Sequence, residues 1–234
     1  MSRRSLLAGG CALLVIPVLS GCYRQLETFR YRLTVEVETP QGLRSGSSVI
    51  EVQTRDQGRG FPGPEAGGIR HNVRGEAVAV DLPGGRTLFA LLKQGGKRAF
   101  NFPEMAPYWA FSPPASTSNP SFDERHKLVV EGQGVHVLDP SYYPLLVRFR
   151  GIHDPTSVEL VDPQDLTASF GPGVTLKRVT IEITDDPVTT GIERRLNWLP
   201  SIHGNLLPKI SPSSKTSPFG LQGMDFSTET FDEQ

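Results

Sequence analysis

Cysteine is almost absent from this chain of 234 residues. Only Cys11 and Cys22 occur, both in the first tenth of the sequence. The long remainder therefore has no thiol for a disulfide, a zinc–cysteine cluster or a cysteine nucleophile. A chain without such cross-links must be stabilised by its hydrophobic core, and one of this length can bury about two-thirds of its unfolded surface.

An excess of positive charge is also lacking. The chain has 24 basic and 25 acidic side chains. Without Arg3 and Arg4, the remainder has 22 basic residues against 25 acidic ones, a formal charge of −3. Because a nucleic-acid-binding domain normally presents a strongly basic face, we predict no nucleic-acid partner.

Motifs of the common active sites are missing as well. The sequence has no phosphate-binding Gly-Lys loop, no paired zinc histidines, no Gly-x-Ser-x-Gly turn and no calcium loop. The histidines are dispersed, with no two at ligand spacing: His71, His126, His136, His153 and His203. We predict no cofactor and no motif-based metal site.

The N-terminal segment carries the clearest signal in the chain. Arg3 and Arg4 precede an apolar run from Leu6 to Leu19, and small residues follow, in Leu19-Ser20-Gly21-Cys22. A basic start, a short apolar run and small residues are typical of an export signal. A membrane-spanning helix needs about 20 apolar residues, and this run is shorter and interrupted by glycines and Pro17.

The cysteine after the small residues resembles the lipobox of bacterial lipoproteins. That resemblance implies cleavage before Cys22, diacylation of its thiol and acylation of its new amino terminus. It also implies a membrane partner and a periplasm-facing location. Tyr23 stands where the inner-membrane retention signal usually carries Asp, which favours the outer membrane. The start Ser2-Arg3-Arg4-Ser5-Leu6-Leu7 resembles a twin-arginine signal, and the general secretory route stays open beside it. Residues 22–28 would form a short tether, about 20 Å at most.

The body of the chain shows β-strand patterns. Apolar residues alternate with polar ones from Tyr31 to Val37, which predicts a strand with one buried face. A turn at Thr39–Gly42 and a β-rich run at Ser47–Thr54 predict a hairpin with it. The unbroken apolar run Leu88–Leu92 predicts a strand covered on both faces. We predict the other strands at Arg74–Leu82, Arg86–Lys93, Lys97–Phe102, Lys127–Glu131, Val135–Leu138, Leu145–Phe149 and Val174–Thr184.

Two helices and a tail complete the prediction. Asp162-Pro163 and Gly171 bracket a short helix at Gln164–Phe170. A capping-box pattern at Thr190–Glu193 begins a second helix, which Pro200 ends. Residues 57–68 have the composition of a loop, and residues 201–234 that of a flexible tail. The fold class is therefore mainly β: one antiparallel β-sandwich or curled sheet over residues 29–200, with one or two short helices.

A proline-rich insert, residues 103–122, interrupts this pattern. Its prolines exclude a regular strand ladder, whereas Tyr108, Trp109 and Phe111 bring large apolar surface. The insert is either a lid folded back on the sheet or an exposed aromatic patch that would suit a carbohydrate or peptide partner.

Polar residues follow two of the predicted strands. His153 and Asp154 come after Leu145–Phe149, and Asp185 and Asp186 come after Val174–Thr184. If these strands were parallel neighbours, the four side chains would converge at one end of a sheet and could bind a divalent cation or perform acid–base chemistry. Alternatively, both Asp-Pro pairs only begin turns. Arg148, Arg150 and Arg178 are a further candidate, as a basic strip on the outer face; solvated charges on the strands explain them equally well.

Two functions therefore remain as hypotheses. The first is a lipid-anchored envelope protein that acts as a binding or accessory module for an envelope protein or a cell-wall component. The second is a hydrolase or metal-dependent enzyme that uses the acidic strand ends.

Overall fold

The computed structural model describes residues 24–56, 68–95, 102–111, 120–202 and 220–228. These residues form two antiparallel β-sheets and three α-helices, so the predicted mainly β fold is confirmed. The strands are β1 Arg24–Gln25, β2 Phe29–Thr39, β3 Gly42–Asp56, β4 Ile69–Arg74, β5 Val78–Leu82, β6 Arg86–Gln94, β7 Val135–Val137, β8 Pro144–Phe149, β9 Val158–Val161 and β10 Thr175–Ile183. The helices are α1 Phe102–Phe111, α2 Phe122–Val130 and α3 Leu166–Phe170.

The first sheet is built on the predicted hairpin. Its strand order is β1-β3-β2-β10-β7, and β4 also pairs with β3. Along β2 the residues from Tyr31 to Val37 alternate between fully buried and partly exposed, as the period-two pattern predicts. The inner face of this sheet faces the second sheet and supplies much of the main hydrophobic core.

The second sheet, in the order β5-β6-β8-β9, is covered on both faces. Leu88, Ala90 and Leu92 of β6 pack into the main core that it shares with the first sheet. Phe89 and Leu91, which point the other way, pack into a second core with residues of the C-terminal part of the chain. The apolar run of β6 therefore lies in a doubly covered strand, as the sequence predicts.

A glycine lets the two sheets approach closely. A Cβ atom on Gly46 of β3 would lie 2.1 Å from the carbonyl oxygen of Ala79 in β5, a distance that no carbon side chain permits. The missing side chain therefore determines how near β3 and β5 can lie.

In the proline-rich insert, where no strand was predicted, helix α1 occupies residues 102–111; residues 112–119 lie outside the described part. Pro103 is compatible with the first turn of a helix. Pro107, inside the helix, has no N–H to donate to the carbonyl of Pro103. The hydroxyl of Tyr31 donates to that carbonyl instead, at 2.7 Å, and Tyr31 is fully buried. A side chain of β2 thus replaces the missing bond of the helix.

Helix α2 replaces the strand predicted at Lys127–Glu131. Ser121 caps it: its hydroxyl accepts a hydrogen bond from the Glu124 N–H, and the Glu124 carboxylate accepts one from the Ser121 N–H. This capping box satisfies two backbone donors at the start of the helix. It favours a helix over a strand for the apolar residues that follow.

Several predicted boundaries also differ from the structure. The strand predicted at Arg74–Leu82 is interrupted at Gly75, whose φ of 153° few other residues adopt, and is divided between β4 and β5. Strand β9 was not predicted. The helix α3 is capped by Asp165 rather than Asp162. Of the strand predicted at Lys97–Phe102, only Phe102 is described, and it begins α1; the loop predicted at 57–68 lies almost wholly outside the described residues.

The second predicted helix is not an α-helix. Ile192–Arg194 and Leu199–Ser201 each form one 3₁₀ turn, and Gly191 precedes the first without any side-chain cap. The apolar spacing was nevertheless informative, because Ile192, Leu196 and Leu199 are all buried against the second sheet.

Part of the predicted flexible tail packs on the body. Within residues 220–228, Leu221 and Phe226 are buried in the second core, and Ser227 forms a β-bridge with Glu76. Lys93 of β6 forms an ion pair with Asp225 at 3.1 Å and donates to the carbonyl of Gly220. This segment covers the outer face of the second sheet; residues 203–219 and 229–234 lie outside the described part.

Candidate functional site

The structure does not assemble the predicted acidic strand ends. Strand β8, before His153 and Asp154, belongs to the second sheet, whereas β10, before Asp185 and Asp186, belongs to the first. The parallel neighbours that the hypothesis required are therefore not present. Within the described ranges, no group of three or more His, Cys, Asp and Glu residues is placed to hold a metal ion.

Three of these four residues, all but Asp185, have local side-chain contacts instead. The Asp154 carboxylate accepts hydrogen bonds from the N–H and hydroxyl of Thr156, which hold its pKa below the ordinary value. Asp186 forms an ion pair with Arg32, and His153 lies 3.3 Å from the Asn197 amide oxygen. Asp154-Pro155 begins the 3₁₀ turn Pro155–Ser157 and so fits the turn interpretation.

The predicted basic strip is not formed either. Arg148 lies on β8 and Arg150 directly follows that strand, and both form ion pairs with Glu159 of β9, at 2.7 and 3.1 Å. Arg178 lies on β10 of the other sheet and forms a bidentate pair with Glu36. These arginines cross-link neighbouring strands.

The aromatic residues of the insert contact the body. Tyr108 is only 4 % exposed, and Trp109 stacks on Tyr142 with ring centroids 4.7 Å apart. Phe111 lies against His136 at 4.1 Å, and both Trp109 and Phe111 pack on the main core. The structure agrees with the lid interpretation and not with an exposed partner patch.

Tyr108 belongs to a polar chain that the sequence did not indicate. Its hydroxyl lies 2.8 Å from Nδ1 of His126, whose Nε2 lies 2.9 Å from the carbonyl oxygen of Glu27. Thr54 is a hydrogen-bond partner of Tyr108 and lies 3.0 Å from Nδ1 of His71. Four side chains from β3, β4, α1 and α2 thus connect to the backbone just before β2.

The partners fix the proton positions along this chain. A carbonyl only accepts, so His126 donates from Nε2, and its Nδ1 accepts from the Tyr108 hydroxyl. Thr54 then donates to Tyr108, and His71 donates from Nδ1 to Thr54. Burial raises the pKa of Tyr108 to about 12 and lowers the pKa of both histidines from 6.5. All the hydrogen bonds of this polar network can form when both imidazoles are neutral.

A cavity of about 520 Å³ lies between the two sheets and the segment that follows β10. Thr189 joins this segment to β3: its N–H donates to the Val49 carbonyl at 3.1 Å, and its hydroxyl accepts from the Val49 N–H at 2.8 Å. Farther along, the Ile192 N–H donates to the buried Glu76 carboxylate at 2.8 Å. These bonds hold the wall of the cavity on β3 and on Glu76, which lies two residues before β5.

The lining of the cavity is polar and carries two arginines. Arg195 is engaged in a bidentate pair with Asp81, which lowers the pKa of that carboxyl. Arg194 is exposed and forms no ion pair with any carboxylate of the described ranges. Its guanidinium lies over Gly191, where a Cβ atom would be 2.0 Å away. With the hydroxyls of Ser47 and Thr190, Arg194 can hydrogen-bond a small polar or anionic ligand.

The N-terminal attachment differs from the predicted tether. Cys22 and the whole predicted signal lie outside the described residues. Arg24 and Gln25, predicted to be part of a free tether, form β1 and pair with Asp56 and Arg55 of β3. Arg24 also donates two hydrogen bonds to Asp123 of α2, at 2.7 and 2.9 Å. The body is thus secured within two residues of Cys22.

Across the described residues, no helix is long and apolar enough to cross a membrane.

Comparisons with known proteins gave no match. No family model matches the chain, and no curated protein or solved structure is significantly similar to it. The function is therefore inferred from the residues and their arrangement.

Proposed function

We propose that this chain is a lipid-anchored binding module of a bacterial envelope, attached through Cys22 and facing the periplasm, with the outer membrane as its location. The observation that carries the proposal is β1, which begins two residues after Cys22 and is hydrogen-bonded into the first sheet. A lipid on Cys22 would hold a folded domain directly, without a flexible spacer.

Attachment by several acyl chains is physically sufficient for this role. A single acyl chain gives marginal and reversible membrane binding, whereas two or more acyl chains together give stable anchoring. A diacylated thiol with an acylated amino terminus meets that condition. Two residues extend at most about 7 Å, so Arg24 would lie at the membrane surface.

The cavity beside Arg194 supports the binding part of the proposal. It is open and polar, its wall is hydrogen-bonded to Val49 and Glu76, and Arg194 adds a cation free of ion pairs within the described ranges. A small anionic group of an envelope protein or a cell-wall component fits this chemistry. Because the anchor is short, such a partner must come close to the membrane.

A comparison of the two cysteines tests the anchor. We expect Cys22→Ala to move the protein from the membrane fraction to the soluble fraction and to abolish incorporation of labelled fatty acid. Cys11→Ala is the matched control, since Cys11 would leave with the signal, and it should retain both properties. A Cys22→Ala protein that still sediments with membranes would contradict the proposal.

A further inference from the structure

We propose that an arginine cluster on the outer face of the first sheet, formed by Arg30, Arg55, Arg70 and Arg74, binds anionic phospholipid headgroups and fixes the orientation of the body on the bilayer. This inference rests on the proposed lipid anchor at Cys22, and it adds the surface that faces the membrane.

Strand register places the four arginines on one face. Arg55 of β3 is directly opposite Arg70 of β4. Glu51 of β3 has Arg30 of β2 on one side and Arg74 of β4 on the other. Because residues two and four apart along a strand share a face, the row through Glu51 and the row through Arg55 project from the same side of the sheet.

One carboxylate neutralises part of this charge. Glu51 pairs with Arg30 at 2.8 Å and lies 3.9 Å from Arg74. The hydrogen bond from Arg30 lowers the pKa of Glu51 against the opposing effect of burial, so this carboxylate stays ionised. Arg70 forms no ion pair with any carboxylate in the described part of the chain, and Arg55 donates to the amide oxygen of Gln25 at 3.1 Å. Arg30 and Arg74 thus flank Glu51, and Arg55 and Arg70 follow four residues farther along the same face.

Arg55 and Arg70 bring two positive charges to directly opposite positions on β3 and β4. Like charges directly opposite on neighbouring strands destabilise the pairing. A phosphate oxygen between the two guanidinium groups would offset this repulsion and accept charge-assisted hydrogen bonds. Three acidic side chains near this end of the sheet pair with other arginines: Asp56 and Asp123 with Arg24, and Asp186 with Arg32.

The cluster lies next to the expected lipid. Gln25 is in register with Arg55, and Cys22 is three residues before Gln25, about 10 Å at full extension. Acyl chains on Cys22 would bring this end of the sheet to the headgroup layer, where basic residues are attracted to anionic lipid. Membrane lipid is therefore the anion that the geometry favours.

Site-specific labelling of the lipidated protein tests the orientation. The mature body has no cysteine other than Cys22, so one introduced cysteine can carry a fluorophore. Asn72 and Ser45 are exposed on the outer face at opposite ends. The partner of Asn72, Gln53, is about 27 Å along β3 from Ser45. In vesicles with brominated phosphatidylglycerol, we expect quenching of the Asn72→Cys label and none at Ser45→Cys.

Charge removal tests the role of the arginines. Adding Arg55→Ser and Arg70→Ser should reduce quenching at residue 72 to the level of residue 45. Arg44→Ser with Lys177→Ser removes the same charge at the far end of the sheet and should leave quenching unchanged. Vesicles of brominated phosphatidylcholine alone should give the reduced level with every variant.

The outcomes separate this inference from the anchor. Protein that enters the vesicles but is quenched equally at residues 72 and 45 overturns the orientation and leaves the anchor intact. Protein whose Cys22 bears no lipid and that does not enter the vesicles overturns the anchor and this inference with it. If inorganic phosphate alone abolishes the quenching at residue 72, the cluster is a free-phosphate site and the membrane role is wrong.

Discussion

At the residue scale, the most constrained polar group is the imidazole of His126. It is 5 % exposed, accepts from the Tyr108 hydroxyl and donates to the carbonyl of Glu27. Around it lie His71, the ion pair of Arg24 with Asp123, and the rings of Phe29 and Phe122. A second proton on His126 would remove the acceptor that the Tyr108 hydroxyl uses.

Stability should consequently depend on pH through the two buried histidines. Burial lowers the pKa of His71 and His126 below 6.5 in the folded state, so the unfolded chain binds more protons as the pH falls below that value. The stabilisation is present above about pH 6.5 and decreases progressively at lower pH. Melting temperatures measured across this range should fall with pH, and less steeply for His126→Gln.

The exposed histidine His153 provides the control. His153→Gln should keep the pH dependence of the wild type. Equal slopes for His126→Gln and the wild type would show that the imidazole of His126 does not contribute.

None of these residues could be assigned from the sequence. Tyr108 and His126 are 18 positions apart, and His126 and Glu27 are 99 apart, so no local spacing connects them. The site predicted at the acidic strand ends was wrong for the same reason, because the residues of a strand do not indicate to which sheet it belongs.

At the scale of secondary-structure elements, the strands with clear alternation were predictable. The residues of β2 and β10 repeat every two positions, and that period follows directly from strand geometry. Helix α1 was not predictable in this way, because its prolines normally exclude an interior helix position. Its formation depends on Tyr31, which is 72 positions away. The Ser121–Glu124 capping box of α2 was a local signal that could have identified that helix.

Tyr31→Phe measures this dependence. It removes the donor that Tyr31 supplies to the buried Pro103 carbonyl, so we expect a loss of about 1–3 kcal/mol in unfolding free energy. Urea denaturation provides the measurement.

Tyr142→Phe is the comparison, since Tyr142 is 37 % exposed and stacks on Trp109 through its ring. It should change the unfolding free energy by less than about 0.5 kcal/mol. Similar losses in both variants would contradict a specific role for the Tyr31 hydroxyl.

At the scale of the whole molecule, the second sheet needs a cover from distant sequence. The run Leu88–Leu92 showed that one strand is buried on both faces, but nothing in it indicated what lies on the second face. The cover comes from residues 192–202 and 220–228, which are rich in polar residues, Gly and Pro. The cover depends on three buried side chains, Leu221, Phe226 and Trp198. The average composition of these segments does not reveal them.

Phe226→Ala should therefore destabilise the whole domain. Phe226 is fully buried and contacts Phe89, Phe149 and Trp198, and loss of such a ring costs about 3–5 kcal/mol. Met224→Ala, two positions earlier and 67 % exposed, should have little effect. Comparable urea midpoints for the two variants would contradict a structural role for this segment.

The continuous length of β3 has a mechanical consequence. One end of this strand, at Asp56, pairs with β1 next to the proposed anchor, and the cavity wall at Ser47 lies nine residues away, about 30 Å along the strand. Because a sheet does not bend freely, β3 would act as a stiff spacer. A ligand in the cavity would then be captured at a fixed height above the lipid surface, beyond the headgroup layer, wherever the protein diffuses in the membrane plane.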